Sequence, residues 1–156
     1  MHDTKLLQLI NADIITAEQL AELIDREFTA LGERDLKQLD SLLSAKTPLL
    51  ALLDQNAKAR SQLLLELGLT ADRAGLQSVA ANSGVGTDLL TQSEALSLLL
   101  ERCQAGNLRN GRLIRTSQAS TRSMLGILRG NDSAPTLYDS TGGTSRTGQQ
   151  RPLSQA

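Results

Sequence analysis

The chain has 156 residues, a formal net charge of −1 and only two aromatic residues, Phe28 and Tyr138. This length is enough for one domain with a hydrophobic core, in which leucine and alanine must supply most of the packing. The composition favours long helices over a sheet, because sheets are rich in valine, isoleucine and aromatic residues. The scarcity of aromatic residues also argues against a protein that binds nucleic acid by base stacking.

The sequence offers little chemistry for catalysis. A single cysteine, Cys103, permits no internal disulfide, and the single histidine, His2, lies at the terminus, so neither a nucleophilic pair nor a metal site can be assembled from them. No glycine-rich phosphate loop opens a helix. We therefore expect no enzyme, no catalytic residue, no metal and no cofactor. The start of the chain and the lack of a long apolar run predict a cytoplasmic protein without membrane insertion.

A seven-residue apolar repeat predicts the first helix over residues 3–31. Its positions follow one another at spacings of three and four residues, and they are Leu7, Ile10, Ile14, Ala17, Ala21, Ile24, Phe28 and Leu31. Gly32 is the predicted stop of this helix, and Asp35 is the predicted N-cap of the next. So short a connection predicts an antiparallel hairpin.

The second helix is predicted over residues 35–67, with Pro48 inside it. Its repeat contains Leu36, Leu39, Leu43, Lys46, Leu50, Leu53, Ala57, Arg60, Leu64 and Leu67. Proline lacks an N–H and crowds the preceding turn, so we expect a kink or a break near residues 44–47. Lys46 and Arg60 are interpreted as side chains whose stems pack while their charged ends reach water.

A glycine-rich connector with a short helix over residues 71–81, opened by Thr70, leads to a third long helix over residues 87–129. The lower half of its repeat is small and polar, with Gly106, Asn110, Ser117 and Ser120 where leucines would fill a core. These elements predict an all-α fold, in which an elongated antiparallel helical hairpin and a third long helix form a coiled-coil-like three-helix bundle. The helical domain is predicted to span residues 1–130, and residues 131–156 have the composition of a flexible tail.

Asn110 and Gly111 are the least expected residues in the third helix. A core asparagine either fixes the register and number of the partners or serves binding, and we weigh the two interpretations equally. A glycine costs about 1 kcal/mol in a helix interior and either allows a neighbouring helix to approach or serves binding. On packing alone, Asn110→Leu should raise the melting temperature.

Several short motifs form a series over nearly the whole chain. They are Glu27-Phe28-Thr29-Ala30-Leu31, Asp35-Leu36, Lys46-x-x-Leu49-Leu50, Arg60-x-x-Leu63-Leu64, Asn107-x-x-Asn110-Gly111-x-Leu113-Ile114, Leu125-x-x-Leu128-x-Gly130, and Leu137-Tyr138-Asp139 with Gly142. This series resembles the FlgN family of flagellar type III export chaperones. The resemblance implies a cytoplasmic escort that binds the terminal helices of the hook-filament junction proteins FlgK and FlgL, prevents their early assembly and delivers them to the flagellar export apparatus.

The lower half of the third long helix has too little apolar volume to form a complete seam, and a client helix could complete it. The C-terminal third of the chain is therefore the expected binding surface. The candidate partner-binding residues are Asn110, Gly111, Leu113, Ile114, Leu125, Leu128, Leu137 and Tyr138. One alternative is a structural coiled-coil or adaptor protein without a secreted client. Another is an RNA-binding helical module that uses Arg109, Arg112, Arg115 and Arg122, which the missing aromatic residues disfavour.

Overall fold

The computed structural model describes residues 1–129, which form four helices and no strand. The helices are α1 (His2–Glu33), α2 (Leu36–Glu66), α3 (Arg73–Ala81) and α4 (Gly86–Leu128). The predicted all-α fold is therefore confirmed, and each predicted helix end lies within two residues of the observed one. The predicted tail, residues 131–156, lies outside the described residues.

The chain divides into two compact units, Met1–Arg112 and Leu113–Ala156. The first unit holds α1, α2, α3 and the part of α4 that ends at Arg112. Of the second unit, the structure describes residues 113–129, which continue α4. The boundary thus falls inside a helix, whereas the domain division predicted at residue 130 stays a prediction.

A two-residue connection joins α1 to α2. Arg34 has the left-handed conformation, with φ 57° and ψ 35°, and its N–H is directed to the carbonyl oxygens of Ala30 and Leu31. The Asp35 side chain caps α2 by accepting a hydrogen bond from the N–H of Gln38 at 3.0 Å, as predicted. The predicted stop at Gly32 is wrong, because the left-handed position that ends α1 falls on Arg34.

Pro48 does not interrupt α2, which is continuous from Leu36 to Glu66. The expected break near residues 44–47 is therefore not observed. Proline removes the N–H that would bond the carbonyl of Ser44, one turn earlier. Both residues are exposed, so water can reach the carbonyl that has lost its donor.

Within the first unit, α1 contacts both α2 and α4, and α2 also contacts α4 through Lys46 and Asn107. The helix α2 returns antiparallel along one side of α1, as the short connection requires. The helix α4 runs parallel to α1 on another side. At one end, the hydroxyl of Ser83, which precedes α4, donates to Asp3 at 2.6 Å. Near the other end, the Asn110 amide donates to the carbonyl oxygen of Ile24 at 2.9 Å.

The core of the first unit consists mainly of leucine, isoleucine and alanine, in two clusters. The larger cluster comprises Leu6, Ile10, Ala17, Leu64, Leu76, Ala80, Leu89 and Leu96, and the smaller comprises Leu20, Ala21, Ile24 and Cys103. The predicted core residue Phe28 is instead 40% exposed, with the Arg109 guanidinium 4.0 Å from its ring centroid. The buried face of α1 also contains polar residues, among them Asp13 and Glu27, which the apolar repeat did not predict.

Candidate functional site

Asn110, the most unusual residue of α4, is 1% exposed. Its amide nitrogen donates to the carbonyl oxygen of Ile24 at 2.9 Å and to Glu27 Oε1 at 2.7 Å. Its amide oxygen accepts a hydrogen bond from Arg109 Nε at 3.1 Å. Because both bonds of the amide nitrogen reach α1, these contacts favour the interpretation that Asn110 fixes how α4 pairs with α1.

A polar junction surrounds this asparagine and joins three helices. Lys46 of α2 donates to Glu27 Oε1 and Oε2 of α1, each at 3.4 Å, and to Asn107 Oδ1 of α4 at 3.3 Å. Glu27 and Lys46 are both buried. The interpretation of Lys46 as a side chain that reaches water is therefore wrong, because its ammonium group points into the bundle.

A second ion pair lies further along the hairpin. Asp13 is completely buried, and its carboxylate accepts a hydrogen bond from Asn56 Nδ2 at 2.8 Å and forms an ion pair with Arg60. Burial lowers the pKa of the Arg60 guanidinium from its ordinary value, but arginine remains charged in proteins because that value is so high. Like Lys46, Arg60 therefore directs its charge toward α1, contrary to the sequence-based interpretation.

The two ion pairs are separated by the same number of residues on α1 and on α2. Asp13 and Glu27 lie two heptads apart on α1, and Lys46 and Arg60 lie two heptads apart on α2. The two acidic residues were not predicted, because the apolar repeat of α1 does not include them. The signal that could have found them is the spacing of the two basic residues on α2, matched by an acidic pair at the same spacing on α1.

The helix α4 approaches α1 closely at Gly106. A Cβ atom added to this glycine would lie 2.6 Å from Cγ2 of Ile24. Close approach was the structural role considered for Gly111, which is half-buried. The structure shows this close approach at Gly106, five residues earlier, and the role of Gly111 stays a prediction.

The part of α4 in the second unit has an exposed apolar face. Its exposed large apolar residues are Ile114, Met124, Leu125, Ile127 and Leu128, with exposed fractions between 39% and 78%. Three of the candidate partner-binding residues, Ile114, Leu125 and Leu128, are thus accessible, and Leu113 is half-buried. The other two second-unit candidates, Leu137 and Tyr138, lie outside the described residues.

The candidate binding residues accordingly fall into two groups. Asn110 and Gly111 belong to the first unit, where Asn110 is part of the polar junction. Leu113, Ile114, Leu125 and Leu128 belong to the second unit, where they lie along one helix. The geometry of the second group suits contact with another apolar helix, whereas the geometry of Asn110 suits contacts inside the bundle.

Cys103 is buried, and burial raises the pKa of its thiol. Its Sγ is 3.5 Å from the carbonyl oxygen of Ala17 and donates a weak hydrogen bond to it. Within residues 1–129, no three or more histidine, cysteine, aspartate or glutamate side chains are grouped so that they could hold a metal ion. In the same residues, no helix has the length and apolar character needed to span a membrane.

Comparison with known proteins identifies the family. The sequence model described as FlgN protein matches residues 1–146. A crystal structure of a flagella synthesis protein FlgN from Pseudomonas aeruginosa is similar to this chain, with a TM-score of 0.69 and 48% identity over 80% of this chain and 95% of that one. A search of curated proteins found no match. Because the family match extends over most of the sequence, the chain belongs to the FlgN family of flagellar export chaperones.

Proposed function

We propose that this protein is a cytoplasmic escort for the hook-filament junction proteins FlgK and FlgL. It binds their helical termini, prevents their early assembly and delivers them to the flagellar export apparatus. Membership of the FlgN family supports the role in flagellar export. The single observation that best supports a helical client is the exposed apolar face of residues 113–128.

This face has the spacing that an amphipathic client helix needs. Met124, Ile127 and Leu128 are separated by three and four residues and are all exposed, so they form a stripe on one side of α4. Burying one such side chain contributes about 1.5–3 kcal/mol. A few of them can hold a client helix, while the ordering of that helix offsets part of the gain and keeps the complex releasable.

Asn110 and Gly111 have a supporting role in this proposal. The Asn110 side chain is buried and its polar atoms have partners in the first unit, so it supports the start of the binding helix and does not contact the client. Leu113, Ile114, Leu125 and Leu128 are the contact residues. Leu137 and Tyr138 remain proposed contacts, since an aromatic side chain is a frequent anchor in interfaces.

Titration calorimetry with C-terminal peptides of FlgK and FlgL tests the location of the binding surface. Leu125→Asp with Leu128→Asp should weaken binding more than tenfold, which corresponds to about 1.4 kcal/mol or more. Deleting residues 131–156 should have an effect of the same order. The matched control is Leu90→Asp with Leu98→Asp, because these leucines are also exposed on α4 but lie in the first unit.

The control variant should bind as the unaltered chain does, and all variants should keep a helical circular dichroism spectrum. Full affinity in both the tail deletion and the Leu125 and Leu128 variant would place the client elsewhere. If the unaltered chain bound neither peptide, the alternative of an adaptor without a secreted client would be favoured.

A further inference from the structure

Two buried ion pairs interrupt the otherwise apolar interior of the first unit, and we call the position of each pair along the hairpin a polar level. The Asp13–Arg60 pair and the Glu27–Lys46 pair lie two heptads apart. Leu20 on α1 and Leu53 on α2 lie midway between these pairs in sequence; Leu20 belongs to the smaller apolar cluster, and the half-buried Leu53 packs against it. The interface between α1 and α2 therefore alternates between charged and apolar levels.

Stability alone does not explain these pairs. Moving two charges out of water offsets most of their attraction, so apolar residues of similar volume generally hold helices together as well or better. Removing only one member of such a pair is strongly unfavourable, because it leaves a buried charge without a partner. Buried polar pairs are therefore better at selecting partners than at stabilising them, and their best-known effect is on the register and number of the helices.

Register within the hairpin does not require the pairs either. Only Arg34 and Asp35 connect α1 to α2, so α2 cannot slide by a heptad without lengthening the connection. Selection must therefore concern helices that do not belong to the hairpin. Two kinds of helix could compete with α2 for α1: the same helix of another copy, which would carry matching charges, and an apolar helix from elsewhere.

An apolar helix in the place of α2 would meet two buried carboxylates without a cation. Asp13 is fully buried and Glu27 nearly so. Asn110 makes the same distinction for the helix in the place of α4. Its amide donates a hydrogen bond to Glu27 at 2.7 Å, which a leucine at this position could not do. The buried carboxylates thus exclude helices with a continuous apolar seam from the place of α2 beside α1. The client helices considered under the proposed function are of this kind.

We propose that Asp13, Arg60, Glu27, Lys46 and Asn110 are specificity-determining residues that keep apolar helices out of the bundle. They confine capture of a client to the exposed face of residues 113–128, and they prevent α1 of one copy from pairing with α1 of another, because that helix would bring carboxylates and no cation to these positions. They do not act against α2 of another copy, which carries the matching cations. The first consequence rests on the proposed function. The second does not require a client.

The test replaces the polar levels by apolar ones in the full-length chain. One variant carries Asp13→Leu and Arg60→Leu, and the second carries Glu27→Leu, Lys46→Leu and Asn110→Leu; a third combines all five changes. The matched control exchanges the two cations with Lys46→Arg and Arg60→Lys, which keeps a positive charge opposite each buried carboxylate and leaves Asp13, Glu27 and Asn110 unchanged. Light scattering after size exclusion gives the mass of each chain without peptide, and titration calorimetry gives the number of junction-protein peptides bound per chain.

We expect the leucine variants to remain helical, to form a mixture of larger species and to bind more than one peptide per chain. The unaltered chain and the control with exchanged cations should each give one species. Leucine variants that fold, show the same single mass and bind one peptide would overturn the proposal. Leucine variants that lose cooperative melting would also overturn it, because the pairs would then be needed for stability. If the unaltered chain binds no peptide, the proposed function fails, but the masses still decide whether copies exclude one another.

Discussion

Lys46 on α2 lies 3.4 Å from each carboxylate oxygen of Glu27 on α1, and each residue is less than a tenth exposed. Neither charge can turn to water without opening the contact between the two helices. The two side chains therefore depend on each other far more than a pair on the surface would.

Lys46→Leu alone should lower the free energy of unfolding by about 3–5 kcal/mol, because Glu27 would stay buried without its cation. Adding Glu27→Leu should restore most of that loss. Urea denaturation of the two single variants and the double variant measures the difference. Lys58→Leu is the control, because its pair with Asp54 is exposed and its removal should change stability little. Equal losses of unfolding free energy in the Lys46→Leu variant and the double variant would show that the two side chains do not depend on each other.

Asn110→Leu should lower the melting temperature, although packing at a core position alone predicts a rise. The change removes the 2.7 Å hydrogen bond to Glu27, and a buried acceptor that loses a partner costs about 1–3 kcal/mol. Thermal denaturation followed by circular dichroism measures the change. Asn107→Leu is the control and should have a smaller effect, because Asn107 is exposed and receives one longer hydrogen bond from Lys46. A higher melting temperature for Asn110→Leu would show that packing outweighs the polar junction.

Gly106→Ala should destabilise the first unit, even though alanine favours a helix by about 1 kcal/mol over glycine. The added methyl group would lie 2.6 Å from Cγ2 of Ile24, and isoleucine has little freedom to move because it is branched at Cβ. Overpacking of this kind costs about 1–3 kcal/mol. Gly32→Ala in α1 is the matched control, since no atom lies within 4 Å of the added methyl group there. Melting temperatures that rise for both variants would show that α1 and α4 can separate at this point without loss.

The Cys103 thiol should react slowly with iodoacetamide in the folded chain. It is buried, and its pKa is raised by burial, so at pH 8 less thiolate is present than in the unfolded chain, where the pKa is about 8.5. Above pH ~8.5 the thiol of the unfolded chain loses its proton before that of the folded chain does. The free energy of unfolding should therefore fall as the pH rises. Alkylation rates measured against pH, with and without urea, test this. Identical rates in both conditions would show that the thiol is accessible in the folded chain.

The three long helices could be predicted from sequence because each carries an apolar repeat, and the start of α2 could be recognised from the Asp35 cap. Two details could not be predicted from the repeat. Arg34 has the left-handed conformation usually adopted by glycine, although a true glycine lies two residues earlier. The helix α2 continues through Pro48 because an exposed turn can replace the lost hydrogen bond with water.

The candidate site was predictable only in part. Asn110 could be recognised as unusual because it interrupts an apolar repeat, but its partners Ile24 and Glu27 lie on another helix, more than 80 residues earlier. The burial of Asp13 and Glu27 depends in the same way on the cationic side chains of α2 that pair with them. Contacts of this kind arise from tertiary packing, which the periodicity of a single helix does not report. Leu125 and Leu128, expected on the client-facing edge of the helix, are exposed, and their contact with a client stays a prediction.

The parallel packing of α4 against α1 has a consequence for the order of folding. The contact between Glu27 and Lys46 closes a loop of 19 residues, whereas that between Glu27 and Asn110 spans 83. Contacts between near residues form first, because closing a longer loop costs more entropy. During synthesis, α1 and α2 are also made before α4. We therefore expect the hairpin to form before α4 packs against it, so that α4 is the last long helix to join the first unit.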